Sequence, residues 1–140
     1  MSKVYCYLAG KMSGLTLEEM NSWRLKAKWY LENLGINVFN PVDFYNFEID
    51  SSTYTEQEVK DFDLMLVKKS NFILANLDYP NSIGTAIELH EAHDNWKIPV
   101  IGFGTKKNHP WIECSLTKKV DTLMDAIDYI KEFYVPVMCD

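Results

Sequence analysis

Glu88 lies in a pattern that could carry chemistry. It follows residues 81–87, in which Ser82 and Gly84 lead into a helical pattern. The positive end of that helix could hold the Glu88 carboxylate ionised as a nucleophile, while the preceding amides and the Ser82 hydroxyl receive an anion. The alternative is a capping box of Thr85 and Glu88 in the first helical turn, which would only stabilise the helix. The pattern alone leaves both interpretations open.

Asp63 is an acid inside an apolar stripe. It comes four residues after Val59 and three before Leu66, on the helix face that should contact a sheet. An unpaired carboxylate is unfavourable there. We therefore expect Asp63 to lie along the sheet edge, where it could bind a ligand hydroxyl or orient another carboxylate. The alternative is a purely structural hydrogen bond to a nearby backbone amide.

The segment Gly10–Gly14 follows an apolar run and contains one cation, Lys11, and one hydroxyl, Ser13. Small residues there allow the backbone to approach a phosphate or sugar closely. The segment matches neither the dinucleotide fingerprint nor the Walker A loop, so a plain tight turn is the alternative. Tyr7, at the end of the same run, could meet a base or sugar, although a core position is also consistent with its pattern.

The histidines and cysteines give weaker patterns. His90 and His93 are three residues apart on a predicted helix, which is more typical of a solvated face than of a zinc site, and we predict no metal. His109 could be a surface residue, a pocket wall or an oligomer contact. The three cysteines are odd in number and far apart, so we expect them to be reduced and structural.

The elements that must position these residues alternate along the chain. Apolar β-rich runs predict four strands, at residues 4–9, 36–39, 72–77 and 98–103. Helical periodicity follows each strand, with capping boxes at Thr16 and Thr55, a helix from about Thr85 to Trp96, and a mostly helical pattern from Val120 to Phe133. This alternation predicts an α/β fold with a parallel sheet covered on both faces.

Two loops should share one crevice in such a sheet. The loops after the first and third strands, at 10–14 and 78–84, follow strands that we expect to be neighbours, and ligands bind where the carboxyl ends of parallel strands meet. The polar, aromatic loop from Asp43 to Tyr54 is a further place where function is expected.

Composition restricts the class of protein. The chain has 140 residues, 47% of them hydrophobic and 24% charged, which predicts one folded domain. The net charge of −6 argues against binding duplex nucleic acid or an anionic membrane, although a single nucleotide remains compatible as a ligand. There is neither a signal-peptide pattern nor an apolar run of the roughly 20 residues that a membrane span needs, so we expect a cytoplasmic protein.

Several of these segments together resemble the nucleoside 2-deoxyribosyltransferase superfamily over about residues 3 to 103. They are Tyr7–Gly10, Asp63, the Gly-Thr-Ala-Ile-Glu-Leu run at 84–89 with Ala92, and Lys97–Val100. The resemblance implies a flavodoxin-like, doubly wound α/β sheet of about five strands in a single domain spanning 1–140. It also implies a homodimer or larger homo-oligomer and no cofactor.

The resemblance also implies roles for the site residues. Glu88 would attack the anomeric carbon of a nucleoside or nucleotide, Asp63 would help to hold the substrate, and Tyr7 would lie near the sugar or base. A carboxylate below that carbon can stabilise and trap the oxocarbenium-like state covalently. The sugar would then pass to water in a hydrolase or to another base in a transferase.

Departures from the superfamily pattern point to a subgroup. Ser82 stands six residues before Glu88, where the nucleoside transferases have an acid and the related 5′-monophosphate N-glycosidases have a serine that contacts phosphate. Lys11 and Ser13 lie where those glycosidases place further phosphate contacts, and we include the backbone of Gly10 and Gly84 among the substrate-binding positions. His90 replaces a usual glycine. His109 falls where the family lends a polar residue to a neighbouring subunit's site.

Two other classes of function remain open from the sequence. A nucleotide-binding or signalling module could retain the fold without chemistry, and a purely structural domain would use every one of these residues for capping or packing. The leading hypothesis is cleavage of an N-glycosidic bond, with a 5′-monophosphate as the preferred substrate.

Overall fold

The computed structural model describes residues 3–45 and 54–138, so the prediction for the loop from Asp43 to Tyr54 falls largely outside the described residues. The described chain forms a five-stranded sheet in which all pairings are parallel, in the order β2-β1-β3-β4-β5. The strands are β1 (Tyr5–Ala9), β2 (Asn37–Phe39), β3 (Phe72–Asn76), β4 (Val100–Phe103) and β5 (Lys118–Val120). This is the strand order of the flavodoxin-like doubly wound folds. The predicted fold class is confirmed.

Helices connect the strands and cover both faces of the sheet. They are α1 (Leu17–Asn33), α2 (Glu56–Lys68), α3 (Ile83–His90), α4 (Pro110–Glu113), α5 (Leu123–Tyr129) and α6 (Val135–Met138), with a 3₁₀ turn at Pro41–Phe44 and π-helical segments at Glu91–Asn95 and Ile130–Tyr134. The capping boxes at Thr16 and Thr55 are confirmed, since each hydroxyl accepts from the amide of the glutamate three residues later. Each of these glutamates in turn accepts from the cap residue's amide.

Alternate residues of the central strands enter two separate cores. On one face, Cys6, Leu8 and Leu74 pack with residues of α1 and α5. On the other, Tyr7, Ala9 and Ile73 pack with residues of α2 and α3. Because successive strand side chains point to opposite faces, the four buried apolar residues of β3, Phe72 to Ala75, divide between the two cores. Helices α2 and α3 therefore cover the same face of the sheet, which is the face that carries the Tyr7 side chain.

The structure differs from the sequence prediction near the carboxyl end. Residues 118–120 form the edge strand β5, where the sequence pattern predicted the start of a helix at Val120. Two exposed lysines leave that strand with little apolar signal, as is common for edge strands. The short helix α4 was also not predicted.

Two further predictions concern membrane and cysteine chemistry. Among the residues that the structure describes, no helix has the length and apolar character needed to span a bilayer.

Cys6 and Cys114 are free thiols in the described chain. Cys6 is buried in the core, and this burial raises the pKa of its thiol, whereas Cys114 is exposed. Cys139 lies outside the described residues.

Candidate active site

A cavity of about 490 Å³ opens at the carboxyl ends of β1 and β3. In the strand order, β1 connects to β2 on one side and β3 connects to β4 on the other. The chain therefore leaves β1 and β3 toward opposite faces of the sheet, and a crevice forms between the loops that follow these two strands. The lining residues come from the loop after β1, from α2, from the start of α3 and from the segment before α2. They include Gly10, Ser13, Tyr45, Tyr54, Asp63, Ser82, Gly84, Thr85 and Glu88. The crevice predicted from the sequence is present.

Helix α3 begins earlier than the sequence pattern predicted. Its N-cap is Ser82, whose hydroxyl accepts hydrogen bonds from the Thr85 amide at 3.3 Å and from the Thr85 hydroxyl at 3.0 Å. The alternative interpretation, a capping box of Thr85 and Glu88, is therefore wrong, and so is the prediction that Glu88 lies in the first turn. Serine and threonine are both favoured N-cap residues, so the sequence offered two possible starts for this helix. Glu88 lies in the second turn of α3, where it is not required as a cap.

The Glu88 carboxyl is held by a tyrosine from the sheet. The Tyr7 hydroxyl donates to Glu88 Oε2 at 2.5 Å. Tyr7 is 1% exposed and belongs to the core between the sheet and α3, so the core position predicted for it is confirmed, whereas its contact with a base or sugar stays a prediction. Burial and the Glu88 charge raise the pKa of Tyr7 well above its ordinary value, so the phenol remains a proton donor.

Burial controls the charge of Glu88. Desolvation raises the pKa of its carboxyl to about 8, against an ordinary value of 4.5. The hydrogen bond from Tyr7 and the charge of Arg24 lower this pKa, while the charge of Asp63 raises it. Desolvation outweighs these favourable contacts and so acts against the interpretation in which the helix end keeps Glu88 ionised at neutral pH. In the unliganded site the carboxyl is mainly protonated at pH 7.

Asp63 is held by a second tyrosine. The Tyr45 hydroxyl lies 2.8 Å from Asp63 Oδ1, to which it donates, and 3.4 Å from the Val59 carbonyl oxygen. Among the described residues the polar partner of Asp63 is thus a phenol and not a backbone amide, and its predicted contact with a ligand stays a prediction. Desolvation raises the pKa of Asp63 to about 6, against the lowering effects of Tyr45 and Arg24. Asp63 and Glu88 both line the cavity.

Sequence reasoning missed Tyr45 and Arg24. Tyr45 lies in the loop where function was expected, but nothing in the pattern singled it out. Arg24 is a cation at an inward position of α1, in register with the buried residues Met20, Ala27 and Leu31. That inward cation was the available signal. Arg24 is 0% exposed and donates to three backbone carbonyls.

The loop after β1 is held closely against its surroundings. A Cβ added at Gly10 would lie 2.9 Å from Trp23 Cζ2 and 3.4 Å from Arg24 Nη2. Gly10 and Ser13 line the cavity, whereas Lys11 is half-buried beside them and is not among the lining residues. At Gly84 an added Cβ would have nothing within 4 Å, so this glycine leaves open space at the cavity wall.

The three histidines lie away from the cavity lining. His109 caps α4 by accepting from the Trp111 amide at 3.1 Å, and its own amide donates to Asn81 at 2.9 Å. Its predicted role toward a neighbouring subunit stays a prediction. His90 and His93 both contact Asp94, at 3.0 and 2.6 Å. In residues 3–45 and 54–138 no group of three or more potential ligands could hold a metal ion.

Comparison with known proteins finds solved structures that share this fold. No protein-family model and no curated protein matches the chain. Among solved structures, a conserved protein from Enterococcus faecalis is 17% identical, covers 94% of this chain and 99% of its own, and has a TM-score of 0.78. A 2-deoxyribosyltransferase from Bacillus psychrosaccharolyticus is 25% identical, with coverages of 90% and 92% and a TM-score of 0.72. The CMP N-glycosidase of Clostridium botulinum is 16% identical, with coverages of 92% and 99% and a TM-score of 0.62.

The chain has the 2-deoxyribosyltransferase fold. The resemblance predicted from the sequence is confirmed, and the structural neighbours include both a transferase and a nucleotide N-glycosidase. Within this fold, the neighbouring tyrosine and carboxyl pairs described above stand at the crevice between β1 and β3.

The burial of Glu88 predicts how a neutral replacement changes stability. Because the folded-state pKa lies above the ordinary value, the wild-type protein loses stability as pH rises from about 4.5 to about 8. Glu88→Gln removes this loss. We expect its free energy of unfolding to exceed that of the wild type by about 2 kcal/mol or more at pH 9, since each pKa unit corresponds to about 1.4 kcal/mol.

Urea unfolding of both proteins from pH 5 to pH 9 measures this difference. Glu91→Gln is the matched control, because Glu91 accepts from Asn95 at 2.8 Å and is not part of the cavity lining. A difference between Glu88→Gln and wild type that does not grow with pH would contradict the proposed charge state.

Proposed function

We propose that this chain cleaves the N-glycosidic bond of a nucleoside or, in preference, of a deoxynucleoside 5′-monophosphate, with Glu88 as the nucleophile. The observation that carries the proposal is the Glu88 carboxyl, held by Tyr7 at 2.5 Å in a cavity that Asp63 and Ser82 also line. The printed names of two structural neighbours, a 2-deoxyribosyltransferase and a CMP N-glycosidase, support chemistry at this bond.

In the first step, an ionised Glu88 oxygen bonds to C1′ of the sugar, and the C1′–N bond breaks with its electron pair going to the departing base. The carboxylate opposes the positive charge that develops on the sugar ring. Tyr7 orients the carboxyl through its hydrogen bond. Asp63 is a second acid in the cavity, where it is suited to hold the substrate, and the departing base takes its proton from solvent.

In the second step, the ester between Glu88 and the sugar is broken by an acceptor at C1′. Water gives a free sugar or sugar phosphate, and another base gives a new nucleoside or nucleotide. Two displacements at the same carbon retain its configuration. The proposal needs no metal or organic cofactor.

The preference for a monophosphate rests on Ser82. Both contacts with Thr85 use the Ser82 oxygen as an acceptor, so the hydroxyl can still donate its proton to a phosphate oxygen. The hydroxyl stands at the N-terminus of α3, where backbone amides and the helix dipole favour an anion. Ser13 and the backbone of Gly10 line the same cavity from the loop after β1.

Nucleotide binding without cleavage is a second candidate function. The observation that favours it is the high pKa of Glu88, because a protonated carboxyl is a poor nucleophile. Tight binding of a nucleotide without release of base would support this alternative.

We also propose that the chain acts as a homodimer or larger homo-oligomer. Two neighbouring helices, α3 and α4, expose large apolar side chains, namely Ile83, Ile87 and Trp111. Helix α3 also carries Glu88, and His109 is the N-cap of α4. Surface of this kind is typical of interfaces. Sedimentation equilibrium is expected to give at least twice the 16.3 kDa chain mass, and a monomer at micromolar concentration would contradict this proposal.

Release of base tests the catalytic proposal. We expect chromatography to detect free base when the wild type is incubated with a panel of nucleosides and 5′-monophosphates, and Glu88→Gln to reduce this release to background. With the best substrate, kcat/KM should rise about tenfold per pH unit below pH 8 and level off above it, because only the ionised carboxyl attacks.

Glu91→Gln is again the control and should retain wild-type turnover. Full turnover by Glu88→Gln would exclude Glu88 as the nucleophile. A second free base added to the reaction distinguishes transfer from hydrolysis, since only a transferase forms the exchanged product.

Ser82→Asp tests the monophosphate preference while keeping the helix cap. Aspartate caps helices as well as serine, so we expect the fold to be retained. The added charge repels a phosphate dianion. We therefore expect kcat/KM for the 5′-monophosphate to fall about 100-fold, and kcat/KM for the nucleoside to change less than about threefold.

The matched control is Thr122→Asp at the N-cap of α5, where the threonine hydroxyl accepts from the Asp125 amide at 3.1 Å. It adds the same charge at a helix start that is not part of the cavity lining. Equal losses on nucleoside and monophosphate in Ser82→Asp would show that Ser82 does not contact the phosphate.

A further inference from the structure

Arg24 is a buried cation that packing does not explain. It is the single arginine among the chain's 14 basic residues, and it is 0% exposed on the inward face of α1. None of the ion pairs among the described residues includes it. A buried charge is unfavourable unless other groups compensate it, and an apolar side chain would pack α1 against the sheet at lower cost.

The guanidinium connects α1 to the end of β1 that borders the cavity. Arg24 Nη2 donates to the Gly10 carbonyl at 2.9 Å, and Nε donates to the Leu8 carbonyl at 3.4 Å. Nη1 donates to the Met20 carbonyl within α1, and the group lies over the Trp23 ring at 4.7 Å. Leu8 adjoins Tyr7 in sequence, and Gly10 lines the cavity. One rigid side chain thus holds the backbone on both sides of the strand end that presents Tyr7.

The charge of Arg24 also acts on the two acids of the site. The groups that influence Glu88 come from three elements: Tyr7 from β1, Asp63 from α2 and Arg24 from α1. Tyr45, which precedes α2, hydrogen-bonds to Asp63. Arg24 is the positive group in this set, and its interactions with Glu88, Asp63 and Tyr7 favour its own charged form. Burial lowers the pKa of Arg24 to about 10, so it remains charged at neutral pH.

We propose that Arg24 is a positioning residue of this site: its buried guanidinium fixes the end of β1 through the Leu8 carbonyl and the loop after β1 through the Gly10 carbonyl, and it supplies the fixed positive charge against which Glu88 and Asp63 ionise. The consequence for catalysis rests on the proposed function of Glu88. The consequence for ionisation does not, because it concerns the unliganded protein.

Two variants separate the charge from the hydrogen-bonding geometry. Arg24→Lys keeps a positive charge but loses the planar fork, and Arg24→Met keeps an unbranched chain but loses the charge. The first readout is ¹³C NMR titration of the Glu88 carboxyl, assigned by its absence in Glu88→Gln. We expect the Glu88 midpoint to move to higher pH in Arg24→Met and to remain near the wild-type midpoint in Arg24→Lys.

Kinetics give the second readout. In Arg24→Met the acid limb of kcat/KM should move to higher pH, so that activity at pH 7 falls about tenfold or more and partly recovers at pH 9. In Arg24→Lys the limb should keep its position while KM rises, because the loop is held less firmly. A residue that only packed α1 against the sheet would lower stability in both variants without moving the limb.

The wild type provides a test that does not depend on either variant folding. Because the chain has one arginine, its guanidinium ¹³Cζ and ¹⁵Nη signals need no further assignment. We expect these signals to show a titration step with the Glu88 midpoint, and this step to be missing in Glu88→Gln.

The outcomes separate this inference from the proposed function. An unchanged Glu88 midpoint in a folded Arg24→Met, or an arginine signal in the wild type that does not follow Glu88, would overturn the role of Arg24. If the wild type releases no base from any substrate, the proposed function fails, and the NMR titrations still decide whether Arg24 supplies the charge for Glu88.

Discussion

The hydrogen bond from Tyr7 to Glu88 is the contact on which this site depends. It joins the central strand β1 to helix α3, across 81 residues of sequence, and gives a buried phenol and a half-buried carboxyl their polar partner in one contact. Each group would be costly alone in this environment. The parallel order β2-β1-β3-β4-β5 places α3 close enough to β1 for the contact, so fold topology and site geometry are parts of one constraint.

The electrostatic character of the site follows from that burial. Two carboxyls line one cavity, both with raised pKa values, and each is held by a tyrosine hydroxyl from a different element. A carboxyl with a pKa of about 8 is a stronger base than an exposed glutamate once it is ionised, but it is ionised in only a minority of molecules at pH 7. Stability and nucleophilicity therefore oppose each other at Glu88. The guanidinium of Arg24 shifts this balance toward the ionised form.

The sequence predicted more of the fold than of the contacts within the site. The cores of β1, β3 and β4 are apolar runs with clear ends, and Thr16 and Thr55 form true capping boxes, so local pattern and tertiary structure agree there. The edge strand β5 was missed because its lysines face solvent. Asp63 was singled out because an acid inside an apolar stripe is unusual, and Glu88 because residues 84–89 resemble the superfamily, whereas the contacts of Tyr45 and Arg24 arise only from tertiary packing. Helix propensity could not reveal that Arg24 reaches the carbonyls of another element.

The start of α3 shows how the choice between two possible N-cap residues can decide the chemistry of a site. If Thr85 were the N-cap, the Glu88 carboxyl would fold back onto its own helix and would be lost to the cavity. With Ser82 as the cap, the helix begins three residues earlier, and Glu88 faces Tyr7. The same hydroxyl that sets this start lies in the cavity with a proton to donate. A single serine thus sets the start of the helix that carries the carboxyl and presents a group suited to the opposite end of a nucleotide, so the two ends of the proposed substrate would be bound from one helix.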